Sequence, residues 1–390
     1  MKKNSTSDHP ASLKRRDFLA LGAVPLAAAL GPVNLADEHR PKTKTSSQET
    51  VRVGFIGAGA NARAVQIPGF KRIDGCEVVA VANRSLESSQ RVADEFGIPR
   101  AYANWRELID DDSIHAVSIG TWPYMHRTLT LTALESGKHV LCQARMTNNA
   151  QEARDMLEAS LLYPDLVCQL VPTSMSYRID NVLKQLLRDG YVGEVLSAEL
   201  QRLQTRFPTY DGDLDWRHDQ QFSGYNILNI GASYESMMRW LGRATRVVAM
   251  SKIHVPYRRN SRGERTPATL PDHVDIIYEL TDGAQVHMRA SETTGLSTGT
   301  QTWIHGSEGT IHVDRRQRIF AGRRGATELT EIPNPRDGQA YYRVEEEFTN
   351  AIRGIEEVTM APFETGVHYM EWTEAVHRSS QTGQTVSLPL

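Results

Sequence analysis

Cysteine is scarce in this chain. Three in 390 residues, Cys76, Cys142 and Cys168, are too few and too widely spaced for a disulfide framework or a thiolate metal site. They read instead as small buried hydrophobes, and no metal is expected. Basic tracts are missing beyond the N-terminus and the formal net charge is −3, which argues against a nucleic-acid partner. The apolar run Leu19 to Leu30 is too short to span a bilayer comfortably. What is present is an ordinary soluble composition, 40% hydrophobic and 23% charged, at a length that suits two domains.

The first residues read as an address rather than as fold. Lys14-Arg15-Arg16-Asp17-Phe18-Leu19 runs directly into an alanine-rich apolar stretch, a pattern that resembles a twin-arginine export signal. Cleavage is expected near Ala36, with residues 37–49 left as a flexible leader and no stable membrane anchor. Losing residues 1–36 removes five basic and two acidic groups, so the net charge moves from −3 to −6. The expected location is periplasmic, or otherwise exported by this route. An uncleaved anchoring helix is the competing reading.

Val51-Arg52-Val53-Gly54-Phe55-Ile56 is a short apolar run of the kind that forms a buried parallel strand. Gly57 then suits a tight turn, and Gly59 lets the backbone approach a pyrophosphate closely. Ala62 is the third small residue, where a helix packs on the strand. With Asn61 it opens a helix whose free N–H groups and dipole favour phosphate. A glycine turn without a nucleotide is the bland alternative.

A helix over 62–70 and a strand over 77–82 follow. In a dinucleotide fold the residue that reads the ribose lies at the end of this second strand. Here Asn83-Arg84-Ser85 stands there with no carboxylate. Arg84 can pair with a 2′-phosphate and Ser85 can donate to it, so NADP is expected before NAD. Helices over 85–96, 104–110 and 127–136 alternate with strands over 116–119 and 139–142, the signature of a parallel sheet with right-handed crossovers. The first domain is expected over 50–171 and a second α/β domain over 172–390.

The series Gly57-Ala58-Gly59, Thr121-Trp122-Pro123-Tyr124-Met125-His126 and Ala133-Leu134-Glu135-Ser136-Gly137-Lys138-His139-Val140 resembles the glucose–fructose oxidoreductase / inositol dehydrogenase (Gfo/Idh/MocA) family. Trp216-Arg217, the stretch Ser223 to Leu241 and Gly306-Ser307-Glu308-Gly309-Thr310 extend the likeness. The resemblance implies a doubly wound Rossmann domain followed by an α/β domain with a largely antiparallel open sheet. It implies a homo-oligomer, a small carbohydrate substrate and a nicotinamide cofactor. Thr121, Trp122, His126, Gln143 and Arg217 then join Gly57, Gly59, Asn61, Ala62, Asn83, Arg84 and Ser85 as cofactor-binding candidates. Strands are expected over 193–200, 274–280, 284–291, 302–305 and 310–313. The loop Gln204 to Phe222, rich in aromatic and acidic residues, suits a polyhydroxylated ring or is a surface connection.

The usual acid–base residues are absent. Where the resemblance implies Glu-Lys-Pro, the chain has Gln143-Ala144-Arg145. Where it implies Asp and His four apart on one helix, the chain has Asn229 and Ser233. Loss of hydride from an alcohol also requires loss of a proton, so another base is needed. The catalytic candidates are Tyr234 and then His218 as the base, with Arg145 as a fixed cation and Asn229 at the usual acid–base position; Asp219 and His126 are further candidates. The expected function is an exported NAD(P)-dependent oxidoreductase of a sugar, cyclitol or sugar derivative, with retained cofactor and redox-neutral turnover. The alternative is a carbohydrate lyase, hydrolase or binding pseudoenzyme on the same fold.

Overall fold

Val51–Ile56 and Cys76–Ala82, nearly all buried, pair in parallel as strands β1 and β2 of a computed structural model that describes residues 50–172, 174–334 and 342–390. The twin-arginine segment and the leader lie outside the described residues. With β3 (Arg100–Tyr102), β4 (Ala116–Ile119), β5 (His139–Gln143) and β6 (Cys168–Val171), they form a parallel sheet in the order β3-β2-β1-β4-β5-β6. Both faces of such a sheet are covered, which is why these strands read as unbroken apolar runs. The strand order reverses between β1 and β4, and a crevice for ligands forms beyond the carboxyl ends of strands at such a reversal.

The helix expected over 62–70 begins as a π-helical turn, Ala62–Gln66, before an α-helical turn, Ile67–Phe70. Pro68 has no N–H to give to the carbonyl four residues back, and Ile67 N–H donates instead to Ala62, five back.

The second sheet is built from β7 (Val195–Leu203), β8 (Ala244–Lys252), β11 (His273–Leu280), β12 (Gln285–Ser291) and β13 (Gln301–Gly306), with β9 (Tyr257–Arg259) and β10 (Arg265–Pro267) set aside as a hairpin. It is completed by β14 (Gly309–Val313), β15 (Ile319–Arg323), β16 (Thr330–Ile332) and β17 (Val386–Ser387). The order among the described residues is β16-β15-β14-β13-β7-β12-β11-β8-β17, antiparallel except where β7 runs beside β12. Helix Phe363–Thr382 covers one face, and its Trp372 stacks on Tyr234 of helix Ile230–Leu241 at 4.3 Å and 3°. A buried aromatic pair of this kind adds about 0.5–1.5 kcal/mol beyond the area it removes from water.

The division at residue 171 is not the whole organisation. Helix Val344–Ile352, far beyond it, returns to the first sheet, where Phe348 meets Phe70 edge-on and shares a core with Val51, Val53 and Phe55. Its apolar positions gave no sign in the sequence of which sheet they would cover.

Candidate active site between the two sheets

Gly57 has φ +84°, and a Cβ there would lie 2.7 Å from Thr121 Cγ2 and 2.8 Å from the Thr121 amide nitrogen. Only glycine lets the turns after β1 and β4 approach this closely. At Gly59, by contrast, the nearest atom to an added Cβ is Gly120 O at 4.0 Å, and Gly59, Ala60 and Asn61 are exposed. Ala62, behind them, is buried. An open backbone at a helix start is a cradle that a pyrophosphate fits, so the residues present accommodate a dinucleotide.

Asn83 turns out to shape this turn. Its Oδ1 accepts from the Ala58 N–H at 2.7 Å, and its Nδ2 donates to Ser88 O at 3.0 Å. Ser85 caps helix Leu86–Phe96, its Oγ accepting from the Ser88 N–H at 3.3 Å. Of the three residues expected at the ribose, only Arg84 is uncommitted. It is exposed and makes no ion pair among the described residues.

His126 is no base. It is fully buried, with Nδ1 at 3.1 and 3.0 Å from the Arg145 and Met146 carbonyl oxygens and Nε2 at 3.0 Å from Thr121 O. Neither nitrogen is left for a substrate, and burial holds its pKa below the usual value. Its role is to brace the turn after β4 against the turn after β5. Gln143, at the end of β5, donates to Gln66 Oε1 at 2.6 Å and so ties β5 to the glycine-turn helix.

The turn after β5 packs on the segment 216–229. Gly224 has φ +61°, and a Cβ there would lie 2.0 Å from Asn148 O, so this contact also requires glycine. The Tyr225 N–H donates to Asn148 O at 2.9 Å and Asn226 Nδ2 donates to Thr147 O at 3.0 Å. Trp216 stacks on Trp122 with centroids 5.7 Å apart, while the Arg145 and Arg217 guanidinium groups stand over its ring at 5.2 and 4.3 Å. Arg145 is 5% exposed, its Nε has no hydrogen-bond partner among the described residues, and burial with the nearby Arg217 pushes its pKa down to about 9.

Beside these residues lies a cavity of about 510 Å³ lined by Arg202, Arg206, Arg217, His218, Asn229, Glu292 and Arg315, among others. His218 Nε2 lies 2.9 Å from Glu292 Oε2. That contact is the main reason the Glu292 carboxyl is held below its ordinary pKa, so it is ionised at neutral pH. A carboxylate that accepts Nε2–H fixes the neutral imidazole in one tautomer, with the lone pair on Nδ1. Nδ1 has no hydrogen-bond partner among the described residues and is shielded from solvent.

Several expectations are corrected here. Tyr234 is 2% exposed in the core of the second sheet, its hydroxyl accepts from the Ala244 N–H at 2.9 Å, and burial pushes it up to about 12. It lines neither the cavity nor the glycine turn, because the helix carrying it is rotated to stack that ring on Trp372. Asn229 and Ser233 do not share one helix turn: Leu228 and Asn229 have φ 45° and 64°, and the α-helix begins only at Ile230. Asn229 therefore lines the 510 Å³ cavity, its Oδ1 buried and without a hydrogen-bond partner among the described residues, whereas Ser233 lines a smaller one of about 150 Å³. Asp219 is a cap, accepting from the Gln221 N–H at 2.9 Å. Within the loop 204–222, Phe207 and Tyr210 are each 68% exposed, while Gln204, Thr205, Arg206, Arg217 and His218 line the cavity and Trp216 stacks on Trp122 beside it. Glu292 was not foreseen. A carboxylate directly after a strand was the one sign of it, and its partner is 74 positions away.

Comparison with known proteins agrees with this architecture. Residues 51–161 match the family model GFO_IDH_MocA, described as an oxidoreductase family with an NAD-binding Rossmann fold. Residues 181–312 match the GFO/IDH/MocA C-terminal domain. A levoglucosan dehydrogenase of Pseudarthrobacter phenanthrenivorans is 26% identical over 301 residues, 70% of this chain and 76% of that protein. A D-xylose 1-dehydrogenase (NADP(+)) of Haloferax volcanii is 26% identical over 86% of this chain and 99% of its own length. Among solved structures, levoglucosan dehydrogenase in complex with NADH and L-sorbose superposes with a TM-score of 0.75 at 22% identity, covering 87% of this chain and 99% of that one. The aldose–aldose oxidoreductase of Caulobacter crescentus, complexed with glycerol, shares the fold with a TM-score of 0.71 at 17% identity over 87% of this chain and 100% of the other. With both of its halves matched in order, the chain belongs to the Gfo/Idh/MocA oxidoreductase family.

Proposed function

We propose that the protein oxidises or reduces a CH–OH group of a sugar, cyclitol or sugar derivative, using a nicotinamide dinucleotide bound at the Gly57–Ala62 turn. The observation that carries this reading is the His218–Glu292 pair, 2.9 Å apart in a cavity that also takes in Arg217, next to the Trp122–Trp216 stack. A bound nicotinamide would take up or return hydride. The residues of the chain handle the rest.

Glu292 reaches the cavity with a side chain 39% exposed, and its Oε1 has no hydrogen-bond partner among the described residues. As a substrate carbon loses hydride, its hydroxyl proton passes to the ionised pair, which acts as one unit. In reduction the same pair returns the proton. The lining arginines orient charged groups of the substrate. Arg145, at 5% exposure, acts through Trp216 and is a positioning residue.

The cofactor we propose is NADP in preference to NAD. No carboxylate follows β2, and Arg84 stands exposed without an ion-pair partner among the described residues. The D-xylose dehydrogenase relative carries NADP(+) in its name, while levoglucosan dehydrogenase was solved with NADH, so the family name alone does not choose. The twin-arginine resemblance supports an exported enzyme that is loaded with cofactor before transport and returns hydride to a second substrate. Copies of the chain are proposed to meet on the uncovered face of the second sheet, where Met250 is 78% and Ile277 50% exposed.

The test is to purify the natively exported protein, denature it and identify any nucleotide released. Sugars are then supplied with and without added NADP. Released NADP together with sugar turnover supports the proposal. An empty site and no hydride transfer to any sugar or cyclitol would reject it.

A further inference from the structure

The 510 Å³ cavity is unusually cationic for one that takes a sugar. Arg202, Arg206, Arg217 and Arg315 line it, and the lining carboxylate is Glu292 alone. Glu292 is already engaged, by His218 at 2.9 Å and by Arg258 at 3.7 Å. Arg217 has Asp215 at 3.2 Å. Arg202, Arg206 and Arg315 make no ion pair among the described residues. Next to them Arg145 is 5% exposed with an unpartnered Nε.

Removing guanidinium groups from water and placing them near one another is costly, and proteins ordinarily offset it with carboxylates. Here the repulsion is left standing. Burial first, and repulsion from Arg217 after it, hold Arg145 and Arg202 below the usual guanidinium pKa, with Glu292 offsetting part of the shift at Arg202. The pyrophosphate cradle does not account for these charges. It lies on the first sheet at Gly57–Ala62, whereas Arg202 lies on β7 of the second sheet and Arg315 comes two residues after the end of β14. Arg202 and Arg315 also border the adjoining 150 Å³ cavity that holds Ser233, so they stand where the two spaces meet. A planar guanidinium pairs in bidentate fashion with a carboxylate or a phosphate, and neutral hydroxyls have no need of a fixed cation.

We propose that the substrate is an anionic carbohydrate, one bearing a carboxylate or phosphate, whose charged group is held by Arg202 and Arg315 while its hydroxyl faces Glu292. This rests on the oxidoreductase reading of the same site and names its substrate class.

The test is titration calorimetry of the nucleotide-loaded protein with three probes: D-glucuronate, D-glucose 6-phosphate and D-glucose. At least one anionic probe should bind ten-fold or more tightly than glucose, and rising salt should weaken it. The arm that binds tells carboxylate from phosphate. Arg202→Gln and Arg315→Gln should each cost about ten-fold in that affinity and narrow the gap between the anionic probe and glucose. Arg315 is exposed, so its variant keeps the test open if Arg202→Gln fails to fold. Glucose binding as tightly as both anions, no binding of either anion, or indifference to Arg315→Gln would overturn the proposal. Hydride transfer is read separately. Arginine-dependent binding without hydride transfer would sink the oxidoreductase reading and leave the anion site standing; oxidation of glucose without anion binding would do the reverse.

Discussion

The Trp122 ring, in the turn after β4 of the first sheet, lies on the Trp216 ring of the second-sheet segment, with centroids 5.7 Å apart and planes within 17°. Phe222 adds a second contact to Trp122 at 4.9 Å. These rings join the glycine turn, through Gly57 and Thr121, to the cavity that holds His218 and Glu292. Trp216→Ala should therefore loosen the junction, by about 0.5–1.5 kcal/mol for the stack itself. Nucleotide release should speed up by about ten-fold, read by stopped-flow displacement. An unchanged release rate would show that the stack only fills space.

Arg84→Ala should weaken NADP by about 1–3 kcal/mol and leave NAD within error, since a charge-assisted pair with the 2′-phosphate is all that is lost. Equilibrium titration with both nucleotides checks this. Equal losses, or a native preference for NAD, would remove Arg84 from that role.

Tyr234→Phe separates core from chemistry. The hydroxyl is the acceptor for the buried Ala244 N–H, so its removal should cost about 1–3 kcal/mol in unfolding free energy. Turnover by the folded fraction should stay within about two-fold of the native value, because the ring lies outside the cavity. A loss of a hundred-fold or more at native stability would return Tyr234 to the active site.

Legibility in the sequence divides along the same lines. The first sheet could be read because parallel strands leave continuous apolar runs, and Gly57 marked its turn. Strand β8, Ala244–Lys252, gave less signal because its exposed positions include Val248 and Met250 as well as Arg246 and Lys252, which blurs the polar–apolar alternation. The turn at Leu228 and Asn229 was hidden, since Asn tolerates a positive φ in many settings and Leu228 gives no sign of one. His218 could be singled out, but its chemistry depends on Glu292, which reaches it only because β12 pairs with β7. Asn83 and Ser85 fell in the right place with the wrong task, because a side chain near a ribose site can as easily hold its own backbone.

Glu345 offers a test at neutral pH. It is 6% exposed, Oε1 has no partner, and burial raises its pKa from 4.5 to about 7. Between those values the folded state binds more protons than the unfolded one, so stability falls as pH rises through this window. The penalty is absent below about 4.5 and complete above about 7, on the order of 3 kcal/mol. Denaturant unfolding of Glu345→Gln should show this slope flattened, with the variant gaining on the native protein at pH 8 relative to pH 5. Parallel pH profiles would contradict the assignment.

The central claim is that the His218–Glu292 pair carries the substrate proton. Its most direct measurement is the single-turnover rate of nicotinamide absorbance change, across pH, for the native protein and Glu292→Gln loaded with the same nucleotide and sugar. The native rate should fall as pH drops through the lowered Glu292 pKa, and Glu292→Gln should react at least a hundred-fold more slowly at neutral pH with nucleotide affinity unchanged. A Glu292→Gln rate within a few-fold of native, with the same pH profile, would contradict it.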